Sequence, residues 1–125
     1  MPSYDSVRFI PPAPVAQVVL RHPATGTKLP DVPLLIDCGA DVTLLPQASL
    51  TALGIVPDHH QEFSLVGFDG TVSTSVSARV DLILHGKTFK GEFLLTEQAI
   101  GYLGRDVLNH LSTLLDGPKL LWEIR

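Results

Sequence analysis

Apolar positions along this chain mostly alternate with polar ones or gather in short β-branched blocks, and glycines and prolines separate the blocks. That spacing predicts strands rather than helices. Val15 to Leu20 reads as a first strand, followed by turn chemistry at His22-Pro23-Ala24-Thr25-Gly26. Val32 to Ile36 is apolar throughout, which predicts a strand buried on both faces. Pro46 to Leu53 predicts a short helix with Pro46 in its first turn, Leu50 and Leu53 facing inward, and Gly54 as its terminator. Glu62 to Val66 and Thr71 to Ser75 flank Gly67-Phe68-Asp69-Gly70, predicting a hairpin with a projecting, flexible tip. Further on, Val76, Ala78, Val80, Leu82 and Leu84 share one side of a strand, with Ser77, Arg79 and Asp81 on the other. His85-Gly86-Lys87 turns the chain into a return strand, Thr88 to Leu95. Arg105 to Leu111 predicts a second short helix, with Val107, Leu108 and Leu111 on its apolar face, and Leu120 to Ile124 a terminal strand.

Composition narrows the class. The 125 residues fit one domain, 1–125, preceded over 1–14 by a lead-in that Pro11-Pro12-Ala13-Pro14 stiffens. A hydrophobic fraction of 45% supports a packed core and argues against disorder. A chain this short buries a modest share of its surface, so a second copy would add to its stability. The net charge of -4, with no Lys/Arg cluster, argues against nucleic acid and against a polybasic membrane contact. No apolar run is long enough to span a bilayer. Cys38 is the single cysteine, which excludes an intramolecular disulfide and a Cys-rich zinc site. Met1 to Asp5 shows no signal-peptide pattern, so a reducing cytoplasm is the expected compartment. His22, His85 and His110 are scattered, and the adjacent His59 and His60 would point to opposite faces of a strand. Neither a metal nor another cofactor is therefore expected.

The chemically informative stretch is Leu34-Leu35-Ile36-Asp37-Cys38-Gly39-Ala40-Asp41-Val42-Thr43-Leu44-Leu45-Pro46. Hydrophobicity drops abruptly after Ile36, placing an acid at the end of a buried strand. Gly39 allows a tight turn and a close approach by backbone or ligand. Asp37 can serve there as a turn residue bonding its own backbone or as a reactive carboxyl group. Cys38 as a nucleophile would need a paired base, and no motif supplies one.

Asp37-Cys38-Gly39-Ala40-Asp41, with Leu35-Ile36 before it and Thr43-Leu44-Leu45-Pro46 after it, resembles the Asp-Thr/Ser-Gly-Ala signature of retropepsin-like aspartic proteases. Tyr102-Leu103-Gly104-Arg105-Asp106-Val107-Leu108 resembles that family's second element, two hydrophobic residues and a glycine leading into Arg and a short helix. Gly67-Phe68-Asp69-Gly70 falls where the family carries its flap, and the likeness runs from about Val15 to Ile124. The resemblance implies an all-β, closed-barrel acid-protease fold with one or two short helices, assembled as a homodimer. It implies an aspartic endopeptidase in which two copies of Asp37 share a proton and activate a water against an extended peptide or protein substrate. One Asp motif per chain requires two chains for the pair. Asp41 and Arg105 are then expected to form an ion pair that also reaches substrate backbone; otherwise Asp41 is a surface charge. Leu35, Ala40, Val42, Phe68 and Leu103 are the expected pocket residues. Phe68 either covers substrate or seeks the core or a partner chain, and Trp122 anchors the terminal strand in the core or the dimer interface.

Cys38 departs from the pattern, because the family places a hydroxyl there that bonds across the dimer axis. A thiol is a weaker donor. A catalytically silent dimer that binds peptides or proteins is therefore the alternative. An assembly domain without a cleft fits poorly with Gly39 and the later Leu103-Gly104.

Overall fold

The computed structural model describes residues 1–125 apart from the side chain of His60, so the expectation that His59 and His60 point to opposite faces lies outside the described residues. Strand β1 (Val15–Arg21) runs antiparallel to β2 (Lys28–Ile36), turning at His22 to Thr27. A short β3 (Leu44–Pro46) leads into α1 (Gln47–Ala52), whose Leu50 is buried. The long hairpin is β4 (Asp58–Val66) and β5 (Val72–Leu84), and β6 (Lys87–Thr96) returns along β5. After β7 (Gly101–Leu103) come the single-turn α2 (Arg105–Leu108) and a second hairpin of β8 (Thr113–Asp116) and β9 (Leu121–Ile124).

The main sheet has the order β1-β2-β7-β3-β6-β5-β4, and pairing of β1 with β5 closes six of its strands into a barrel, leaving β4 outside. The all-β closed barrel with two short helices is thus as the sequence implies. Val18, Leu20, Leu34, Leu45, Leu82 and Leu103 fill its interior, fully or almost fully buried. Each such side chain contributes about 1.5–3 kcal/mol by leaving water. Trp122 joins this core from β9.

β7 could not be read from hydrophobic pattern because it is only three residues long. It pairs parallel with β2 and antiparallel with β3. Gly101 permits this: a Cβ there would stand 2.2 Å from the Leu44 carbonyl oxygen. A Cβ at Gly104 would stand 2.5 Å from the Val42 carbonyl. Gly101 thus lets β7 fit between β2 and β3, and Gly104 lets the chain pass close to the backbone of Val42 and Thr43.

Three features differ from the sequence reading. β5 is one continuous strand where two segments are expected, since its outer half belongs to the hairpin and its inner half to the barrel. Its polar side is not solvent-facing throughout: Ser77 and Asp81 are buried. Asp81 sits opposite Arg21 where β1 meets β5 and accepts the guanidinium at 2.9 Å, so the barrel seam is closed by an ion pair. The lead-in is also tied to the fold. Tyr4 donates its amide to Leu120, and Trp122 donates to Pro2, making residues near Ser3 a further partner of β9.

Candidate active site

The loop after β2 is held on both sides by backbone bonds. Asp37 donates its N–H to the Leu103 carbonyl at 3.0 Å, and Arg105 donates to Ala40 at 2.9 Å, so β7 and α2 fix the loop's two ends. Ala40 closes the turn by donating to the Asp37 carbonyl. Within it, Gly39 donates its N–H to Asp37 Oδ1 at 3.0 Å. A Cβ at position 39 would lie 3.2 Å from that same oxygen, so a larger residue would press on the carboxylate. The half-buried Asp37 carboxylate is therefore oriented through one oxygen, and Oδ2 has no hydrogen-bond partner among the described residues. A carboxylate held this way can accept a proton from water or share one with a second acid.

Arg105 reaches back over the loop. One guanidinium nitrogen donates to the Cys38 carbonyl at 2.8 Å and the other to Asp41. The pair expected of Asp41 and Arg105 is present, but its setting is wetter than the sequence suggests. The Asp41 side chain is 84% exposed and that of Arg105 42%. Exposed pairs of this kind contribute little by charge, and the bond to the Cys38 carbonyl is the part that shapes the loop. The Cys38 side chain itself is exposed.

A second bracket was not legible in the sequence. Thr43 is fully buried; its hydroxyl donates to Asp106 Oδ1 at 2.7 Å and accepts the Gly104 N–H at 3.0 Å. Its own N–H donates to Asp106 Oδ2 at 3.1 Å. Both residues lie inside the two motifs, and a polar residue amid Val42, Leu44 and Leu45 was the available signal.

The hairpin tip is stiffened by Asp69, which accepts both the hydroxyl (2.6 Å) and the N–H (3.0 Å) of Thr71. Those bonds, the hydroxyl first, hold the Asp69 carboxyl below its ordinary range. Gly67 and Gly70 complete the turn, with Gly70 at φ 81°, and Phe68 is fully exposed at its apex.

A cleft of about 760 Å³ lies between the stem of this hairpin (Leu65, Ser73, Thr74) and the residues Leu44, Gln98 and Tyr102. A recess of about 250 Å³ adjoins it, lined by Phe9, Leu35, Ile100 and again Gln98 and Tyr102. Asp37 lines neither space, although Leu35 is two residues before it. Of the expected pocket residues, Leu35 lies at the recess and Val42 at a separate hollow with Phe63 and Asp106. Leu103 is corrected: at 1% exposure it belongs to the core. Alternation along β7 turns its neighbour Tyr102 to the cleft instead.

Set beside known proteins, residues 14–116 match the family model described as retroviral aspartyl protease. The Pol polyproteins of equine infectious anemia virus, strain Wyoming and isolate 1369, are 31% identical over 107 residues, covering 84% of this chain. The chain spans about 9% of the length of those polyproteins. Among solved structures, the equine infectious anemia virus (EIAV) protease complexed with the inhibitor HBY-793 superposes with a TM-score of 0.58 at 23% identity. That match covers 78% of this chain and 86% of the other.

Proposed function

The chain belongs to the retroviral aspartyl protease family, and from that premise we propose that it is an aspartic endopeptidase built from two copies, each contributing Asp37. The observation that carries this reading is the Asp37 carboxylate itself, oriented by the Gly39 N–H through one oxygen and left open at the other. One such group per chain is half of an acid–base pair. A second copy related by a two-fold axis would bring its own Asp37 alongside.

Two carboxylates so placed cannot both ionise easily, and they share one proton. The ionised member takes a proton from water, which attacks the scissile carbonyl. The protonated member donates to the carbonyl oxygen as it becomes tetrahedral. Collapse of that intermediate breaks the C–N bond, the amine leaves with a proton, and the pair again holds one. No covalent intermediate forms. The loop brackets at Leu103, Arg105 and Thr43 hold the acid still, so little reorganisation is needed during reaction.

Substrate binds as an extended strand, in this reading, with the β4–β5 hairpin folding over it and main-chain bonds supplying affinity. The equine virus protease named as complexed with an inhibitor supports a ligand-binding cleft on this fold. The exposed Cys38 thiol suits a reducing compartment.

The test is peptide cleavage by the purified chain from acidic to neutral pH, with and without a statine-type mimic of the tetrahedral intermediate. Cleavage with a bell-shaped pH dependence, abolished by the mimic, is expected. Cleavage that persists in the presence of the mimic and in Asp37→Asn would overturn the assignment.

A further inference from the structure

Trp122 is 4% exposed, and its indole Nε1–H has no hydrogen-bond partner among the described residues. The backbone N–H of the same residue donates to the Pro2 carbonyl at 3.0 Å, so the orphan is the side-chain donor. A buried donor that has shed its water and gained no acceptor is unfavourable, and buried indole N–H groups usually find a partner. Such an orphan marks a place where something outside the chain completes the bond.

The same indole lines a pocket of about 350 Å³ that shares no residue with the cleft or the recess described above. Val15 and Gln17 contribute from β1. They alternate with Val18 and Leu20, which fill the barrel, so the pocket lies against the outer side of that strand. Leu84 contributes from the end of β5, and Ile124 from the same face of β9 as Trp122. The pocket is many times larger than the space one water needs, and it falls within the range of small-molecule sites.

We propose that this pocket is a second ligand site, separate from the peptide cleft, for a neutral and largely apolar molecule that carries one carbonyl acceptor for the Trp122 indole N–H. Its apolar body displaces water from Val15, Leu84 and Ile124. Its carbonyl satisfies the orphan donor. An anionic head is disfavoured: no Lys or Arg lines the pocket, and Glu123 does. The indole nitrogen has almost no exposed surface, so an acceptor reaches it only when a neighbouring side chain moves. Met1 lines the same pocket and is mostly exposed, so it can yield. The assignment does not depend on the peptidase reading.

Trp122 is the single tryptophan of the chain, which makes the test direct. A nitrogen-15-labelled protein gives one indole N–H resonance. Three probes are titrated: N-cyclohexylacetamide, with a ring and an amide carbonyl; cyclohexanecarboxylate, with the same ring and an anionic head; and acetamide, with the head and no ring. The first should move the indole proton downfield to saturation and raise the melting temperature. The other two should bind about 10-fold more weakly or worse. Trp122→Phe keeps a ring and removes the donor, so N-cyclohexylacetamide should no longer raise its melting temperature. Gln17 is exposed, so Gln17→Phe can fill the pocket without disturbing the core, and it should abolish the indole shift. That variant carries the test if Trp122→Phe does not fold.

An indole resonance that ignores N-cyclohexylacetamide would overturn the site, the donor being closed off or satisfied by water alone. A response equal for all three probes would overturn the stated ligand class. A shift that survives Gln17→Phe would place the amide outside this pocket and overturn the assignment as well.

Discussion

Thr43 is bound to Asp106 by two hydrogen bonds, hydroxyl to Oδ1 at 2.7 Å and N–H to Oδ2 at 3.1 Å. This clamp joins the loop after Asp37 to α2, and the same hydroxyl also satisfies the Gly104 N–H. Thr43→Val keeps the shape but strands the Gly104 donor in a buried position. The expected loss is about 1–3 kcal/mol, read as a lower denaturation midpoint, with reduced activity because the loop is less well held. Asp106→Asn sets an NH2 donor against a backbone N–H whichever way the amide turns, so it too should lower the midpoint. Equal stability of Thr43→Val and wild type would contradict the clamp.

The two ion pairs that flank the site and the seam should separate by burial. Asp41→Ala removes a mostly exposed charge and should cost under about 1 kcal/mol. Arg105→Ala also loses the bond to the Cys38 carbonyl, so it should cost somewhat more and slow cleavage. Arg21→Ala leaves the buried Asp81 without its guanidinium and should cost about 1.5–3 kcal/mol, the range for hydrogen bonds to charged groups. Urea titrations of the three variants give the order directly. Arg21→Ala as benign as Asp41→Ala would refute the role given to the seam.

These contrasts show where sequence was enough. The apolar run into Asp37, with Gly39 after it, marked the acid loop because burial and turn chemistry both leave local signatures. The hairpin tip was legible from Gly67 and Gly70 for the same reason. β3, β7 and β8 were not, since three or four residues make no detectable period, and the partners of β3 and β7 are distant in sequence. Asp81 read as a solvent-facing residue because its partner Arg21 lies 60 residues away. Leu103, expected at a pocket, lies in the core because alternation along β7 sends adjacent residues to opposite faces.

Asp69 gives a pH dependence whose sign is fixed. Its folded-state carboxyl is held below the ordinary range by the Thr71 hydroxyl and N–H. Its contribution to the tip is therefore complete above the unfolded value and is lost as pH falls through the folded one. Amide exchange at Thr71 should accelerate on acidification in wild type, after correction for the intrinsic rate, and be fast at all pH values in Asp69→Ala. A pH-independent protection factor would contradict the assignment.

Cys38 is the position where a thiol stands in place of the hydroxyl of related proteases. Under the two-copy reading, Cys38→Thr introduces a stronger donor beside the axis, each new bond contributing about 0.5–1.5 kcal/mol net. A tighter dimer with equal or higher activity is expected, and activity of wild type, not of the variant, should fall on oxidation. Sedimentation and peptide cleavage with and without reductant check both. Complete loss of activity in a Cys38→Thr dimer would make the thiol catalytic.

The most direct test of the shared pair is subunit mixing. Wild-type chain is titrated with Asp37→Asn at constant total concentration, the copies are allowed to exchange, and peptide cleavage is recorded. If each site needs Asp37 from both copies, mixed dimers are silent and activity follows the square of the wild-type fraction. Activity that declines in simple proportion to the wild-type fraction would mean that one chain suffices, and the two-copy site would be wrong.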